Sequence, residues 1–349
     1  MTFQNRLSAL VKLGVFLNEQ LHSENTEFAN VLTRANQENP WFTEENIRFA
    51  LNGITSDLDE KNLNSWTSHY PLLQENSLQK TIAVIMAGNL PLVGFRDFLA
   101  VLISGHNILC KLSSKDSVLL KFLAEKLIQI EPKFAAHICF EKHVIKNFDA
   151  VIATGGYHAV GHFHEYFSKY PHIIRGHRNS CAILDGNETP EELRGLFEDM
   201  FRYFGLGCRN VTKLFLPNGE ALNEVKNYDF QPLVEAVKNQ KKLYENLAQH
   251  HLYQNNFQYQ KVVSALSSQK TTDANVFLLI ENSSLTPPIS VVHYEYYSNL
   301  TDVEKKLNEQ KNQIQCIVSH EKTPFGHAQK PTLFDYADGI DTMDFLNGL

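Results

Sequence analysis

The chain has 349 residues, of which 43% are hydrophobic and 20% charged, with a formal net charge of −7. This is the balance of a soluble globular protein with core enough for two ordinary domains or one large α/β unit with an inserted lobe, and it argues against a nucleic-acid surface, which would want a basic patch. No run approaches the ~20 apolar residues of a membrane-spanning helix, and five cysteines without a Cys-x-x-Cys pair (Cys110, Cys139, Cys181, Cys208 and Cys316) suit reduced thiols in a cytoplasm and offer no zinc ribbon.

Residues 1–75 read as helical. Leu7, Leu10, Val11, Phe16, Leu17 and Leu21 recur at helical spacing among polar residues, which predicts an amphipathic helix packed on its own domain and not a secretory leader. Thr43-Glu44-Glu45-Asn46 starts a helix, with Thr43 as cap and two acids in the first turn. Trp41, Phe42, Trp66 and Tyr70 are candidate packing anchors.

From residue 80 the pattern changes. Thr81–Met86 is a short apolar strand entering the turn Ala87-Gly88-Asn89-Leu90-Pro91. Pro91–Ile103 is apolar at helical spacing, with Pro91 near the first turn and Gly105 as terminator. Ile108–Leu112 is a second strand, followed by caps at Ser113, Ser114 and Asp116 and a helix over about 117–129. Residues 149–153 give a third strand, ending in Thr154-Gly155-Gly156 with a helix from about Tyr157. Strands alternating with helices of this length specify an α/β fold with a mostly parallel sheet.

A strand, two glycines and a helix present free backbone N–H groups and the positive end of a helix dipole, a natural seat for a pyrophosphate. The stretch is neither Gly-x-Gly-x-x-Gly nor a Walker loop, and a tight turn without a ligand is equally common. His158 and His162 stand four apart and would share a face, with His164 beside them. Ala159 follows His158, so the His-Glu-x-x-His pattern is absent and partly exposed helix histidines are expected, not a metal site.

Arg175–Ser180 is a polar loop, and Cys181–Leu184 a further strand. Thr189-Pro190-Glu191-Glu192 starts a helix with cap, proline and acids in their preferred order. It leads into Phe204-Gly205-Leu206-Gly207-Cys208-Arg209-Asn210, ahead of an apolar strand at Val211–Leu216. Thiolate is the reactive form of cysteine and nearby cations favour it, for which Arg202 and Arg209 are candidates. A cysteine nucleophile splits acyl transfer into two easier steps through a thioester. A buried, space-filling cysteine is the alternative. Charged helical material follows over about 219–267, then strands at 276–280 and 289–294, a helix at about 301–311 and a strand at 315–318. The tail, Thr323–His327 through Asp335–Asp341, is expected to be a solvated, turn-forming segment, since its aspartates meet no calcium-loop spacing.

In this order, Gly88-Asn89-Leu-Pro91, Ser104-Gly105-His-Asn107, Lys111-Leu-Ser113, Thr154-Gly155-Gly156 and the loop ending in Gly207-Cys208 resemble the aldehyde dehydrogenase superfamily. Arg175–Ser180, Gly205–Val211 and Asp335–Asp341 look more closely like its LuxC-type acyl-CoA reductase branch. The resemblance covers roughly residues 80–345. It implies an aldehyde-dehydrogenase-like fold: helices and a Rossmann-type cofactor domain over 1–182, a catalytic domain over 183–325, and a tail, 326–349, returning to the first domain or to a neighbouring subunit.

The activity implied is NAD(P)H-dependent reduction of a long-chain fatty acyl-CoA to the aldehyde. Cys208 would be the acyl-accepting nucleophile and Asn89 an oxyanion donor, with the backbone N–H of Cys208 as the other. Lys111 would reach the adenosine ribose with Ser113 beside it, and Thr154, Gly155 and Gly156 would face the pyrophosphate. Lys111 could take a 2′-phosphate, which makes NADPH the expected cofactor and NADH the alternative. Glu281 and Glu295 are both poor matches to the family's later ribose-binding glutamate.

In hydrolytic aldehyde dehydrogenases a glutamate base lies before the strand at 181–184. Here Arg175 stands at about its place with no acid nearby, which favours acyl exchange with a thiol over hydrolysis. His177 or Arg178 would assist the leaving thiolate or the oxyanion, or serve only the loop. The resemblance also implies a homodimer or homotetramer, and an acyl-protein donor as a possible partner. The alternatives are an acyl-phosphate reductase, an oxidative aldehyde dehydrogenase, and a non-catalytic acyl-binding or scaffold subunit.

Overall fold

The structure, a computed structural model, describes residues 1–23, 25–74, 78–222, 227–267 and 269–349. The helical readings over 1–75 and 219–267 therefore fall, at positions 24, 75 and 223–226, outside the described residues. The chain divides into two compact units, one of Met1–His177 with Thr332–Leu349, the other of Arg178–Pro331. The boundary lies at 177/178 and not at 182/183, because the strand that begins at Asn179 is hydrogen-bonded into the second unit's sheet.

In the first unit, α1 (Phe3–His22), α2 (Thr26–Glu38), α3 (Glu44–Asp57) and α4 (Glu60–Thr67) precede the sheet. Thr43 caps α3 by accepting the Asn46 N–H, as its position predicts. The apolar faces of these helices bury Leu10, Leu13, Leu17, Ile47 and Trp66, with Phe42 from the α2–α3 connection, in one core with β1 (Thr81–Ile85), α5 (Phe95–Ser104), β2 (Asn107–Lys111) and α6 (Leu119–Ile130). Trp41 packs against that core partly buried. Then come β3 (Ile138–Phe140), β4 (Ala150–Thr154), α7 (Tyr157–Phe167) and β5 (His172–Arg175).

All five strands are parallel, in the order β3-β2-β1-β4-β5. Ala83, Val151 and Ala153 point to the opposite face, where Phe163 and Phe167 of α7 cover them. Helices thus lie on both faces, as an all-parallel sheet requires. Helix α5 is buried almost all round, and Gly105, at φ 89°, ends it in the left-handed conformation that favours glycine.

The second unit carries β6 (Asn179–Ile183), α8 (Pro190–Phe201), β7 (Val211–Pro217), α9 (Gly219–Leu222), α10 (Gln231–Asn239), α11 (Lys241–Gln249), α12 (His251–Leu266), β8 (Thr271–Asp273), β9 (Leu278–Glu281), β10 (Val291–Tyr297), α13 (Leu300–Glu309) and β11 (Ile314–Val318). The sheet order is β11-β6-β7-β10-β9-β8, parallel except for β8 at the edge. Thr189 and Glu192 form a full capping box at the start of α8.

The solvated, turn-forming segment is expected over Thr323–Asp341; beyond it the chain is helical and buried, and Thr332–Leu349 belongs to the first unit. Residues 342–347 form α14 (Thr342–Asn347), whose Met343 and Leu346 are buried in the first unit's core. Asp341 caps this helix through the N–H groups of Met343 and Asp344 and accepts the Tyr70 hydroxyl at 2.6 Å. Tyr336 accepts the Trp66 indole N–H at 2.7 Å, and the His106 ring donates to the Leu346 carbonyl at 3.1 Å. An apolar pair three residues apart behind a capping aspartate carries too much burial to remain in solvent.

Candidate active site

The strand order of the first unit reverses between β1 and β4, and in open α/β sheets ligands bind at the carboxyl ends of the strands at such a switch point. Asn89, Lys111, Ser113, Thr154, Gly155 and Gly156 all follow or end β1, β2 or β4 at that edge. Gly88 and Gly155 leave no room for a side chain. A Cβ on Gly88 would lie 2.5 Å from Ser113 Oγ, and one on Gly155 would lie 2.8 Å from Ala159 Cβ and Phe163 Cε2. Gly156 faces open space and caps α7 without a side chain. These features fit a dinucleotide, whose phosphates need close approach to backbone N–H groups at a helix start.

Lys111 donates to the His143 carbonyl at 2.8 Å and also to that of Lys142, leaving one ammonium hydrogen for a ligand. Asn89 is exposed on its turn. That turn is held from both sides: Asn39 Nδ2 donates to the Gly88 carbonyl at 3.3 Å, and the Leu92 N–H donates to Asp116 at 2.7 Å. Leu92 itself has φ 58°. Asp116 is buried, and burial pushes its carboxyl up to about 7.

Arg175 is buried at the end of β5. Its guanidinium donates to both oxygens of Asp97, at 2.8 and 2.7 Å, and to Thr342 Oγ1 at 2.7 Å. The expectation of no acid near Arg175 therefore holds along the chain but not in space. Asp97 is engaged by that ion pair, so it is not a free base. The Arg175 carbonyl accepts the Gly155 N–H at 3.2 Å, linking this buried pair to the glycine turn. His177 is exposed where the chain leaves the first unit, and Arg178, in the other unit, donates to the Ile314 carbonyl at 3.4 Å. His158 and His162 are exposed on α7, and His164 meets the His172 ring edge-on. Among the described residues no three His, Cys, Asp or Glu side chains are grouped to hold a metal.

In the second unit, Cys208 is half-buried on the loop between α8 and β7. The loop bends through Tyr203, Phe204 and Gly205 at φ 58°, 61° and 74°. Beyond the bend, the Asn210 N–H closes a turn on the Gly207 carbonyl at 3.1 Å, and Ser180 Oγ donates to the Cys208 carbonyl at 2.9 Å. Of the two cations expected to favour its thiolate, Arg202 pairs with Glu198 at 2.6 Å, which offsets its charge. Arg209 donates to the Ala328 carbonyl at 2.5 Å and to a different sulfur, Cys316 Sγ, at 3.7 Å.

Two buried groups in this unit escaped the sequence reading. Asp199, on α8, accepts the N–H groups of Gly326 and Ala328 at 2.7 and 2.9 Å. Lys213, fully buried on β7, pairs with Glu295 at 2.6 Å, and burial lowers it to about 8. Glu295 also binds Lys306, and Glu281 faces Lys270 at 3.5 Å; both acids are thus committed within the second unit.

This architecture is that of the aldehyde dehydrogenases. Aldehyde dehydrogenase 21 from Physcomitrella patens, solved with succinate, aligns over 92% of this chain and 74% of its own at TM-score 0.64 and 15% identity. An NADP-dependent enzyme from E. coli aligns over 91% and 73% at TM-score 0.63 and 11% identity. The NAD+ complex of an aldehyde dehydrogenase from Bacillus cereus aligns over 91% and 72% at 0.57 and 12%. No curated protein matches the chain in sequence. The family model for acyl-CoA reductase (LuxC) matches residues 19–330, and the chain belongs to that family.

Proposed function

We propose that the protein reduces a long-chain acyl-CoA to the fatty aldehyde through a thioester on Cys208, with NADPH as reductant. The Cys208 turn carries this reading. It presents a half-buried thiol just past a left-handed bend, with hydrogen bonds on the carbonyl of the cysteine and across its flanking residues.

Cys208 thiolate attacks the acyl carbonyl, the new C–S bond replaces that to CoA, and CoA leaves as thiolate. Asn89 is assigned the side-chain amide that donates to the oxyanion, and the Cys208 N–H is assigned the second donor. When bound, the reduced nicotinamide supplies a hydride to the acyl carbon. The hemithioacetal then collapses, returning the electron pair to Cys208 sulfur and releasing aldehyde. Thr154, Gly155 and Gly156 hold the pyrophosphate on the α7 amides, and Lys111, with Ser113, takes the 2′-phosphate of the adenosine ribose. His177 and Arg178 are candidates to assist the departing thiolate.

Hydrolytic aldehyde oxidation is disfavoured, because Arg175 stands where a base would be needed and Asp97 is neutralised by it. The five free thiols support a reducing, cytoplasmic setting, and among the described residues no helix is long and apolar enough to cross a membrane. A homodimer or homotetramer, and an acyl-protein as alternative donor, complete the proposal.

The test is single-turnover acylation by a long-chain acyl-CoA without cofactor, read by intact mass, followed by NADPH and an aldehyde assay. An adduct lost in Cys208→Ala and discharged as aldehyde is expected. An adduct resistant to NADPH and NADH would point to an acyl carrier, and adduct formation only from acyl phosphate to that class of reductase. No adduct from any donor would leave a scaffold.

A further inference from the structure

We propose that Asn210 is the positioning residue of the Cys208 turn, holding it in the backbone conformation competent for acyl transfer; this rests on the reading of Cys208 as nucleophile. Helix α8 ends at Phe201, and its last carbonyls have no partner within the helix. The chain then passes through three successive left-handed residues, two of which, Tyr203 and Phe204, carry side chains that disfavour that conformation. Such a bend persists only where its surroundings over-determine it.

Asn210 supplies that constraint. It is fully buried, and its Nδ2 donates to the carbonyls of Asp199 at 3.0 Å and Arg202 at 2.9 Å, while its Oδ1 accepts the Gly207 N–H at 2.7 Å. Two carbonyls on one end and an N–H on the other fix which way the amide points. One side chain thus ties the backbone before, at the start of and after the bend. Its own N–H returns to the Gly207 carbonyl, so the two residues flanking Cys208-Arg209 are joined by hydrogen bonds of opposite sense.

A helix cap accounts for the two bonds to Asp199 and Arg202, but not for the bond to Gly207, which does nothing for the helix. That bond acts on the turn bearing Cys208. The Asp199 carboxylate and Arg209 extend the same scaffold to the 326–328 backbone behind the turn. Residues of this kind set rate through placement: a nucleophile displaced by about 1 Å loses roughly 10²-fold.

The experiment uses the full chain and Asn210→Ala. It compares the rate of covalent acylation by a long-chain acyl-CoA with the rate at which iodoacetamide alkylates Cys208, mapped by peptide mass. Cys139, the exposed thiol, serves as internal reference. Acylation needs the oxyanion donors and carbonyl aligned with sulfur, whereas alkylation needs only an accessible thiolate. We expect acylation to fall roughly 10²-fold with alkylation changed by no more than about threefold. Acylation within that threefold of wild type, or alkylation falling in parallel with it, overturns the proposal. If Asn210→Ala does not fold, Ser180→Ala removes one hydrogen bond from the Cys208 carbonyl and is held to the same split, with an acylation loss of roughly tenfold. A wild-type chain that is alkylated at Cys208 but never acylated would instead remove the nucleophile reading, and this proposal with it.

Discussion

Replacing Asp116 by Asn should stabilise the protein relative to wild type by a margin that grows as pH rises from about 5 to about 8. Asp116 is 8% exposed, its Oδ2 accepts the Leu92 N–H at 2.7 Å, and its Oδ1 has no partner among the described residues. Burial pushes the carboxyl from its ordinary 3.8 up to about 7; Glu38 adds to the rise and the Leu92 N–H opposes it. A carboxyl raised in the folded state stabilises the protein below its unfolded pKa, and this contribution is lost as pH rises through the folded one. Between pH 5 and pH 8 the loss accumulates over about two pH units, at about 1.4 kcal/mol each, or about 3 kcal/mol. Asparagine carries no charge at either pH and keeps an acceptor for Leu92. Urea unfolding of both proteins at pH 5, 6, 7 and 8, taken as a difference, cancels every other titrating group. A difference that stays flat across that range, or that favours wild type at pH 8, would show that Asp116 ionises normally in the folded chain.

Asn89→Ala should lower the single-turnover acylation rate roughly 10²- to 10³-fold, as expected for loss of a preorganised oxyanion donor, with NADPH affinity by fluorescence titration unchanged. Arg175→Ala leaves Asp97 buried and unpaired, and should cost about 3–5 kcal/mol in urea unfolding, whereas the double replacement Asp97→Leu with Arg175→Met should lie much closer to wild type. Gly195→Ala would bring a Cβ to 2.8 Å from the Gly326 nitrogen and 2.9 Å from the Phe325 carbonyl carbon, both backbone atoms, so unfolding should shift by about 1–3 kcal/mol. An unchanged midpoint there would mean that the 325–328 segment moves freely away from α8.

The parallel strands β1, β2 and β4 were legible because each is a short apolar run closed by glycine, proline or serine, and the turns closing them supplied the candidate cofactor residues. Strands β3, β5 and β8 were not, since runs of three or four residues are too short to give an alternation to read. Helix α14 was visible in principle, as Met343 and Leu346 behind a capping Asp341, but so short a pattern does not outweigh a tail rich in turn formers.

The buried polar residues divide more instructively. Asp97 lies inside the apolar run that became α5, and Asp199 three residues after Leu196, beside Phe197 and Met200, on the face that packs inward. An acid at an apolar helix position breaks the binary pattern, and such a break is itself a signal that the fold supplies a partner. What the pattern cannot supply is the partner's identity. Asp97 is answered by Arg175, 78 residues on, and Asp199 by two backbone N–H groups, 127 and 129 residues on. Asn210 is the opposite case: its partners are close in sequence, but the bend that brings them together requires φ > 0 at Tyr203 and Phe204, where residue type argues against it. Loop conformation imposed by buried hydrogen bonds, and not propensity, places Cys208, so the residues that fix the loop can be identified only once the fold has buried them.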